Sequence, residues 1–264
     1  MIEFTQYGDV QRLRMWTLRS RAVGYDSSAY FVRGVLIDTG PFHVRGGLGR
    51  ALRELRPRGV VVTHWHEDHA GNAAMVAANG FPMWMHEYTE RQLRAFPRVK
   101  FYRHFTWGRP GNLRGDVARF DPAPLQVIAT PGHSPDHHAV WDAETRTLFS
   151  ADLWLGVKVR AVAASERPRQ IIASLTRAIE LDPVRVFDAH RGLVDRPVPA
   201  LEAKRAWLEE TIGAVERALA AGDSEDHILR AVLGGEESTG FFSEGEYSRR
   251  NFVKAVMAEI QGAP

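Results

Sequence analysis

Short apolar runs alternate with stretches of helical spacing along the first 190 residues. Continuous apolar runs are typical of strands that are covered on both faces, whereas apolar positions three or four apart are typical of helices. The runs predict strands at 13–18, 29–37, 59–62, 82–85, 127–130, 138–142, 147–150 and 184–187. The helical spacing predicts helices at 48–55, 70–79, 87–95 and 169–181. Helices between strands in this order predict an α/β fold with two packed sheets and helices outside them.

From residue 200 onward the pattern predicts helices alone. Apolar residues recur on one helical face between 201 and 219, and shorter helices are predicted at 224–233 and 248–260. We therefore predict an α/β domain over residues 1–199 and a C-terminal helical extension over residues 200–264. The extension is expected to pack on the sandwich and to have no chemistry of its own.

The amino-acid composition excludes several kinds of site, whereas the net charge excludes none. The 264 residues include no cysteine, which excludes disulfides, thiolate metal ligands and a cysteine nucleophile. Lys plus Arg number 34 against 32 Asp plus Glu, and a net charge of +2 gives no preference for nucleic acid or membrane. Charged residues interrupt the first twenty positions, so no signal peptide is predicted, and no window is long enough to span a bilayer. We expect a cytoplasmic protein without membrane contact.

A candidate metal site follows the predicted strand 59–62. His64, His66, Asp68 and His69 lie within six residues, where a sharp exit from the strand lets their side chains converge. Imidazole and carboxylate ligands suit zinc, which we expect here, and they also suit iron or manganese. The alternative is a surface loop of unrelated polar residues. We disfavour it because three crowded imidazoles without a metal leave polar groups that are costly to satisfy.

The run His64-Trp65-His66-Glu67-Asp68-His69 resembles the signature of the metallo-β-lactamase superfamily. Three later segments match the superfamily's remaining ligand motifs in order, and these are Thr130-Pro131-Gly132-His133, Phe149-Ser150-Ala151-Asp152 and Asp188-Ala189-His190-Arg191-Gly192. The resemblance covers about residues 10–195. It implies a four-layer αββα sandwich in which residues 1–199 form the catalytic domain.

The resemblance also implies two divalent metal ions and assigns a ligand set to each. It places His64, His66 and His133 on one ion, Asp68, His69 and His190 on the other, and Asp152 between them. Two such ions can hold a bridging hydroxide and lower the pKa of bound water towards about 7. We expect Asp68 to assist the proton of this nucleophile. For Asp152 a turn or capping role is the alternative, and for His190 a surface position.

Two further residues are expected to support the ligands. Asp38 ends the strand 29–37 and could orient a ligand histidine by accepting its other N–H. His137 matches a position that is often histidine in the superfamily, and a packing role is the alternative.

Departures from known members of the superfamily restrict the substrate. Zinc β-lactamases with this histidine pattern generally lack the Asp152 bridge, so antibiotic hydrolysis is not expected. The segment Leu153-Trp154-Leu155-Gly156 differs from the glutathione segment of glyoxalase II, and Leu155 stands where one type of acyl-homoserine lactonase has tyrosine. The segment Gly132 to His137 is nearer to β-lactamase-like hydrolases, which include an endoribonuclease.

A basic and aromatic segment, 91–119, is a candidate for substrate contact. It holds eight Arg or Lys and a single acid, Asp116, interleaved with aromatic residues. Such a mixture can bind an anionic ligand by charge and by stacking. The substrate-binding candidates are Arg98, Lys100, Arg103 and Trp107. The alternative is a solvated loop whose aromatic residues attach it to the sandwich.

We expect a hydrolase that uses a metal-bridging hydroxide on a carboxyl ester, thioester or lactone. The substrate is expected to be a small molecule, and it would be anionic if the 91–119 segment binds it. A phosphodiesterase or ribonuclease with the same metals is the first alternative, and nucleic acid is less favoured because no defined binding motif is present. Two further alternatives are a single-iron dioxygenase of the persulfide type and a metal-bearing binding protein without turnover. Both leave the ligand set of Asp68, His69 and His190 without a role.

Overall fold

The structure is a computed structural model that describes residues 1–22, 24–159 and 161–261. It consists of two compact units. The first comprises Met1–Ala129, His138–Ala151 and Arg185–Val194, and the second comprises Thr130–His137, Asp152–Val184 and Asp195–Pro264. Residues 262–264 of the predicted C-terminal extension lie outside the described residues.

Strands and helices alternate through most of the chain. The strands are β1 Ile2–Tyr7, β2 Val10–Met15, β3 Ser27–Val32, β4 Val35–Ile37, β5 Gly59–Val61, β6 Met83–Trp84, β7 Gln126–Ala129, β8 His138–Asp142, β9 Thr147–Ala151, β10 Val162–Ala163, β11 Arg185–Asp188 and β12 Tyr247–Ser248. The helices are α1 Leu18–Ala22, α2 Arg45–Leu55, α3 Glu67–Ala70, α4 Ala73–Ala78, α5 Glu87–Arg94, α6 Phe101–Trp107, α7 Pro168–Glu180, α8 Pro197–Ala220, α9 Glu225–Leu233, α10 Ser238–Phe242 and α11 Arg249–Ile260.

The first unit contains two mixed sheets. The six-stranded sheet has the order β1-β2-β3-β4-β5-β6 and is antiparallel up to β4, after which β4, β5 and β6 are parallel. The four-stranded sheet has the order β11-β9-β8-β7, with a parallel pair only between β11 and β9. Because β4 and β5 are parallel, their carboxyl ends meet at one edge, where ligands commonly bind. Asp38 and Thr63 leave the sheet at this edge.

The two sheets of the first unit pack face to face. Strand β5 shows how, because Val61 shares a buried cluster with Tyr30 of the six-stranded sheet and with Phe149 of the four-stranded sheet. Its neighbours Val60 and Val62 belong to a second cluster on the opposite side. On that side helices α2, α4 and α5 cover the six-stranded sheet through Leu48, Val76 and Leu93, among others. Burial on both faces explains why these strands have continuous apolar runs.

Local differences from the predicted elements have identifiable causes. The predicted strand 29–37 is a hairpin of β3 and β4, turned at Arg33 and Gly34, which both have positive φ. The predicted helix 70–79 divides into α3 and α4 at Gly71, where an added Cβ would lie 2.3 Å from the Glu67 carbonyl oxygen. Strand β1 is missing from the prediction because three of its six residues are polar and four are exposed, as an edge strand permits.

The second unit is mainly helical. Helix α8 packs against α7 and α9, and α11 packs against α8 and α9. The short strands β10 and β12 form an antiparallel pair, which Asn251 supports by donating to the Val162 carbonyl at 2.9 Å. The helices predicted at 169–181 and after residue 200 are present. A domain boundary at residues 199 and 200, and the packing of the extension on the sandwich, stay predictions. None of the helices in the described part of the chain has the length and apolar content needed to cross a bilayer.

Candidate metal centre

Asp38 organises the turn that follows β5. It lies at the end of β4 with φ of 66° and is almost completely buried. Its carboxylate accepts the Thr63 N–H at 2.8 Å and the Thr63 hydroxyl at 2.9 Å. It also accepts from His69 Nδ1 at 2.7 Å. A carboxylate acceptor places the imidazole proton on Nδ1, so the Nε2 of His69 has the lone pair that a metal requires.

Thr63 extends this arrangement to His64. Because its hydroxyl donates to Asp38, the oxygen is left to accept from His64 Nδ1, which lies 3.1 Å away. His64 Nε2 then lies 3.0 Å from His66 Nδ1, and both rings are buried. Two imidazoles so close are costly when both are protonated. Two neutral rings at this distance can share one N–H in a hydrogen bond or turn two lone pairs towards a shared cation.

The first unit also brings Asp68, His69 and His190 together. Each offers a potential ligand atom, and these atoms lie within 4.8 Å of one another. Asp68 Oδ2 is 3.8 Å from His69 Nε2 and 3.7 Å from His190 Nε2. His190 Nδ1 lies 2.6 Å from the Asp26 carbonyl oxygen, which can only accept, so the proton of this ring is on Nδ1. In their neutral forms the His69 and His190 rings therefore both direct the lone pair of Nε2 towards one carboxylate.

Hydrogen bonds with Asp188 and Arg12 hold the loop that carries His190. Asp188 Oδ1 accepts the backbone N–H groups of His190 and Arg191 at 2.6 and 2.5 Å. Burial raises the pKa of the Asp188 carboxyl, and these two N–H groups oppose the rise. The buried Arg12 guanidinium donates to Ser28 at 2.9 Å and to the His190 carbonyl at 3.1 Å. Arg12 thus connects the six-stranded sheet to the loop.

Replacing Gly192 by alanine is expected to loosen this loop. Gly192 has φ of 98°, and an added Cβ would lie 2.4 Å from the Arg12 guanidinium, which would have to give up its bonds to Ser28 and His190. We expect the free energy of unfolding, measured by chemical denaturation, to fall by about 1 to 3 kcal/mol more than in Gly80→Ala. Gly80 is the matched control, because it also has positive φ but has nothing within 4 Å of its Cβ position. Equal losses in the two variants would show that Arg12 moves without cost.

In the second unit His133 lies between two carboxylates. Its Nε2 is 3.2 Å from Asp152 Oδ2, and its Nδ1 is 3.5 Å from Glu166 Oε1. All three side chains are buried. Glu166 also accepts the Ala163 N–H at 3.1 Å, which fixes the carboxylate. No sequence pattern indicates Glu166, since it belongs to no ligand motif and only the fold brings it close to His133.

His137 supports Asp152 through the backbone. Its Nε2 accepts the Asp152 N–H at 3.1 Å, and its Nδ1 lies 3.0 Å from the Thr130 carbonyl oxygen and 2.8 Å from the Thr130 hydroxyl. The carbonyl requires the proton to be on Nδ1, and the Asp152 N–H uses the lone pair of Nε2. These bonds make His137 a positioning residue for Asp152.

Glu67 in the histidine motif forms a buried ion pair with Arg103 of α6. Burial raises the pKa of the Glu67 carboxyl, and the adjacent Arg103 guanidinium acts in the opposite direction. The guanidinium carbon also lies 5.9 Å from the centre of the Trp65 ring. The pair therefore connects helix α6 to the loop that carries His64, His66 and Asp68.

The other substrate-binding candidates lie elsewhere on the 91–119 segment. Arg98 is exposed, and Lys100 is the N-cap residue of α6. The Trp107 ring lies 6.5 Å from the Tyr25 ring, which in turn lies 6.1 Å from the His190 ring. Arg103 is buried against Glu67. Contact of these four residues with a substrate stays a prediction.

The donor groups fit divalent metal ions. Neutral imidazole and carboxylate are borderline to hard ligands, typical of zinc, iron and manganese sites. The Nδ1 atoms of His69 and His190 bond to a carboxylate and to a backbone carbonyl. Such outer bonds are a general feature of metal-binding histidines, because they fix the tautomer and the ring orientation. A set of separate structural histidines would not require this common pattern.

Comparisons with known proteins agree with this geometry. A family model described as "Metallo-beta-lactamase superfamily" matches residues 22–190. A beta-lactamase-like protein 2 homolog of Caenorhabditis elegans is 28% identical over 149 residues, which are 54% of this chain and 45% of that protein. An atrochrysone carboxyl ACP thioesterase of Claviceps purpurea is 24% identical over 138 residues, 51% of this chain and 38% of that protein. The chain spans about half the length of the curated relatives that it matches.

The fold is also found in solved structures. A metallo-beta-lactamase family protein from Thermus thermophilus superposes with a TM-score of 0.68 at 19% identity, over 97% of this chain and 95% of that one. At this identity the likeness concerns the fold alone.

Proposed function

The chain belongs to the metallo-β-lactamase superfamily, and from this premise we propose that it is a dinuclear metal-dependent hydrolase of carboxyl esters, thioesters or lactones. Membership confirms the family and the α/β sandwich class that the sequence predicts. The observation that carries the proposal is the group of Asp68, His69 and His190, whose two imidazoles turn Nε2 towards the Asp68 carboxylate. A protein that needed one metal would have no use for this second ligand set.

We assign the ligands as the superfamily pattern does. His64, His66 and His133 would hold one ion, Asp68, His69 and His190 the other, and Asp152 both. Two bound divalent ions supply a water of lowered pKa and positive charge that stabilises the transition state. Zinc is the expected metal, since imidazole predominates among the ligands.

The protein's own groups then hold the ligands and move the proton. Asp38 and the Asp26 carbonyl keep His69 and His190 in the tautomer that binds metal. His137 fixes the backbone of Asp152. Asp68 is the carboxylate beside both Nε2 atoms, and in our proposal it accepts the proton of the attacking water. The reacting carbonyl would be bound on the side of the cluster where Asp68 and His190 are partly exposed.

Internal ion pairs favour a carboxyl substrate over RNA. Three of the eight basic side chains on the 91–119 segment pair with two acidic side chains of the protein. Arg94 and Arg119 both pair with Glu90, at 2.7 and 2.8 Å, and Arg103 pairs with Glu67. A phosphodiester backbone would be bound mainly by available cations. A relative named as a thioesterase supports the same choice.

Metal content tests the dinuclear proposal. We expect the purified protein to carry close to two metal ions per chain by elemental analysis. Chelation should lower both activity and the free energy of unfolding, because ligand binding energy is also folding energy. His190→Ala should reduce the content by about one ion, and the control Phe4→Ala, an exposed position in β1, should not. One tightly held iron that is insensitive to His190→Ala would contradict the proposal and favour the dioxygenase.

A further inference from the structure

An aromatic wall stands beside the candidate ligand His190. The Tyr25 ring meets the His190 ring edge to face at 6.1 Å, and the Trp107 ring meets Tyr25 in the same manner at 6.5 Å. Tyr25 is 40% exposed, and Trp107 is half-buried. The polar ligand group of Asp68, His69 and His190 is therefore bordered on one side by aromatic surface.

The aromatic surface continues along helix α6. Phe101 and Phe105 lie four residues apart, on one helical face, and are 80% and 41% exposed. The Arg19 guanidinium of α1 lies 4.8 Å from the centre of the Phe105 ring. Beside it Leu18 is also exposed. Large apolar side chains gathered on the surface commonly mark a binding site, whereas scattered ones need no explanation.

These exposed rings are not what holds α6 in place. The helix is attached by its opposite side, where Arg103 pairs with Glu67 and Thr106 is buried. Phe101 and Phe105 face solvent instead. Attachment of the segment therefore explains Arg103, whereas the Phe101 ring is largely exposed and the Phe105 ring is partly exposed beside Arg19.

We infer that Tyr25 and Trp107 line an acyl-binding subsite, which Phe105 and Phe101 extend, and that the substrate is an ester or thioester with an apolar acyl group of several carbons. This inference rests on the proposed function. It follows from the contacts around Tyr25, whose ring meets both His190 and Trp107, while Arg19, six residues before Tyr25, lies against the Phe105 ring. An acyl chain whose carbonyl lies at the metals would extend along this surface.

A chain-length series tests the subsite. Acetyl, butanoyl, hexanoyl and octanoyl thioesters of N-acetylcysteamine keep the leaving group neutral and constant, and kcat/KM is measured for each. Burial of each added methylene is expected to raise kcat/KM by about two- to fourfold. Phe105→Ala and Trp107→Ala should reduce the ratio of octanoyl to acetyl turnover by about tenfold. Phe101→Ser should reduce it less, and because Phe101 is 80% exposed this variant should fold normally.

Phe4→Ala is the matched control, because Phe4 is an exposed aromatic residue of β1 and should leave the ratio unchanged. A flat series in the parent protein, with acetyl turnover present, overturns the subsite and leaves the hydrolase proposal standing. If Phe101→Ser changes binding to phospholipid vesicles but not the ratio, the exposed rings of α6 contact membranes, and the acyl assignment is wrong. Failure on every thioester and ester, with efficient cutting of single-stranded RNA, overturns the proposed function and the subsite with it.

Discussion

Asp68→Ala is expected to lower hydrolysis by at least about 10³-fold while changing the free energy of unfolding far less. The variant removes a proposed metal ligand and the group that accepts the proton of the attacking water, and a positioned acid or base alone contributes about 10² to 10⁴-fold. Asp68 is partly exposed, and its carboxylate bonds to neither Asp38 nor Thr63, which hold the turn. Steady-state kinetics at saturating metal and denaturation of the same samples give the two quantities.

His137→Ala is the comparison for Asp68→Ala. His137 is completely buried and holds the Asp152 backbone, so its loss should cost more in stability and less in turnover. Added Zn²⁺ should restore much of the His137→Ala activity and little of the Asp68→Ala activity. Equal losses of turnover at full metal occupancy would show that the distinction between ligand and positioning residue is wrong.

The sequence carries the parts of the site that lie in local motifs. A strand that ends in a histidine cluster can be recognised because the apolar run, the turn and the ligands are contiguous, and β5 followed by α3 has this form. The sequence predicts that Asp38 accepts from a ligand histidine, and in the structure its carboxylate lies 2.7 Å from His69 Nδ1, while metal binding by His69 stays a prediction. That prediction required only that β4 and β5 end at the same edge, which parallel neighbours do.

Residues whose partners are distant in the sequence cannot be recognised from a local sequence pattern. Glu166 approaches His133 because the loop before α7 folds back to it, and nothing in its neighbours indicates that. In the sequence Arg103 is one of eight basic residues in the 91–119 segment, and nothing nearby distinguishes it. Its partner Glu67 is 36 residues away in the sequence. Only the burial of Arg103 in the fold distinguishes it from the exposed Arg98. The same limitation applies to Arg12, which reaches the carbonyl of His190 from the opposite sheet of the first unit.

Arg103→Ala is expected to lower the free energy of unfolding by about 3 to 5 kcal/mol, because it leaves the Glu67 carboxylate buried without its partner. Arg98→Ala is the matched control, since Arg98 is an exposed arginine of the same segment, and it should cost less than about 0.5 kcal/mol. The double variant Glu67→Leu/Arg103→Met should recover most of the loss, because an apolar pair removes the unpartnered charge. Denaturant titration of the four proteins measures all three effects. If Arg103→Ala were no less stable than Arg98→Ala, the ion pair would not hold α6 against the histidine motif, and the aromatic wall on that helix would need another anchor.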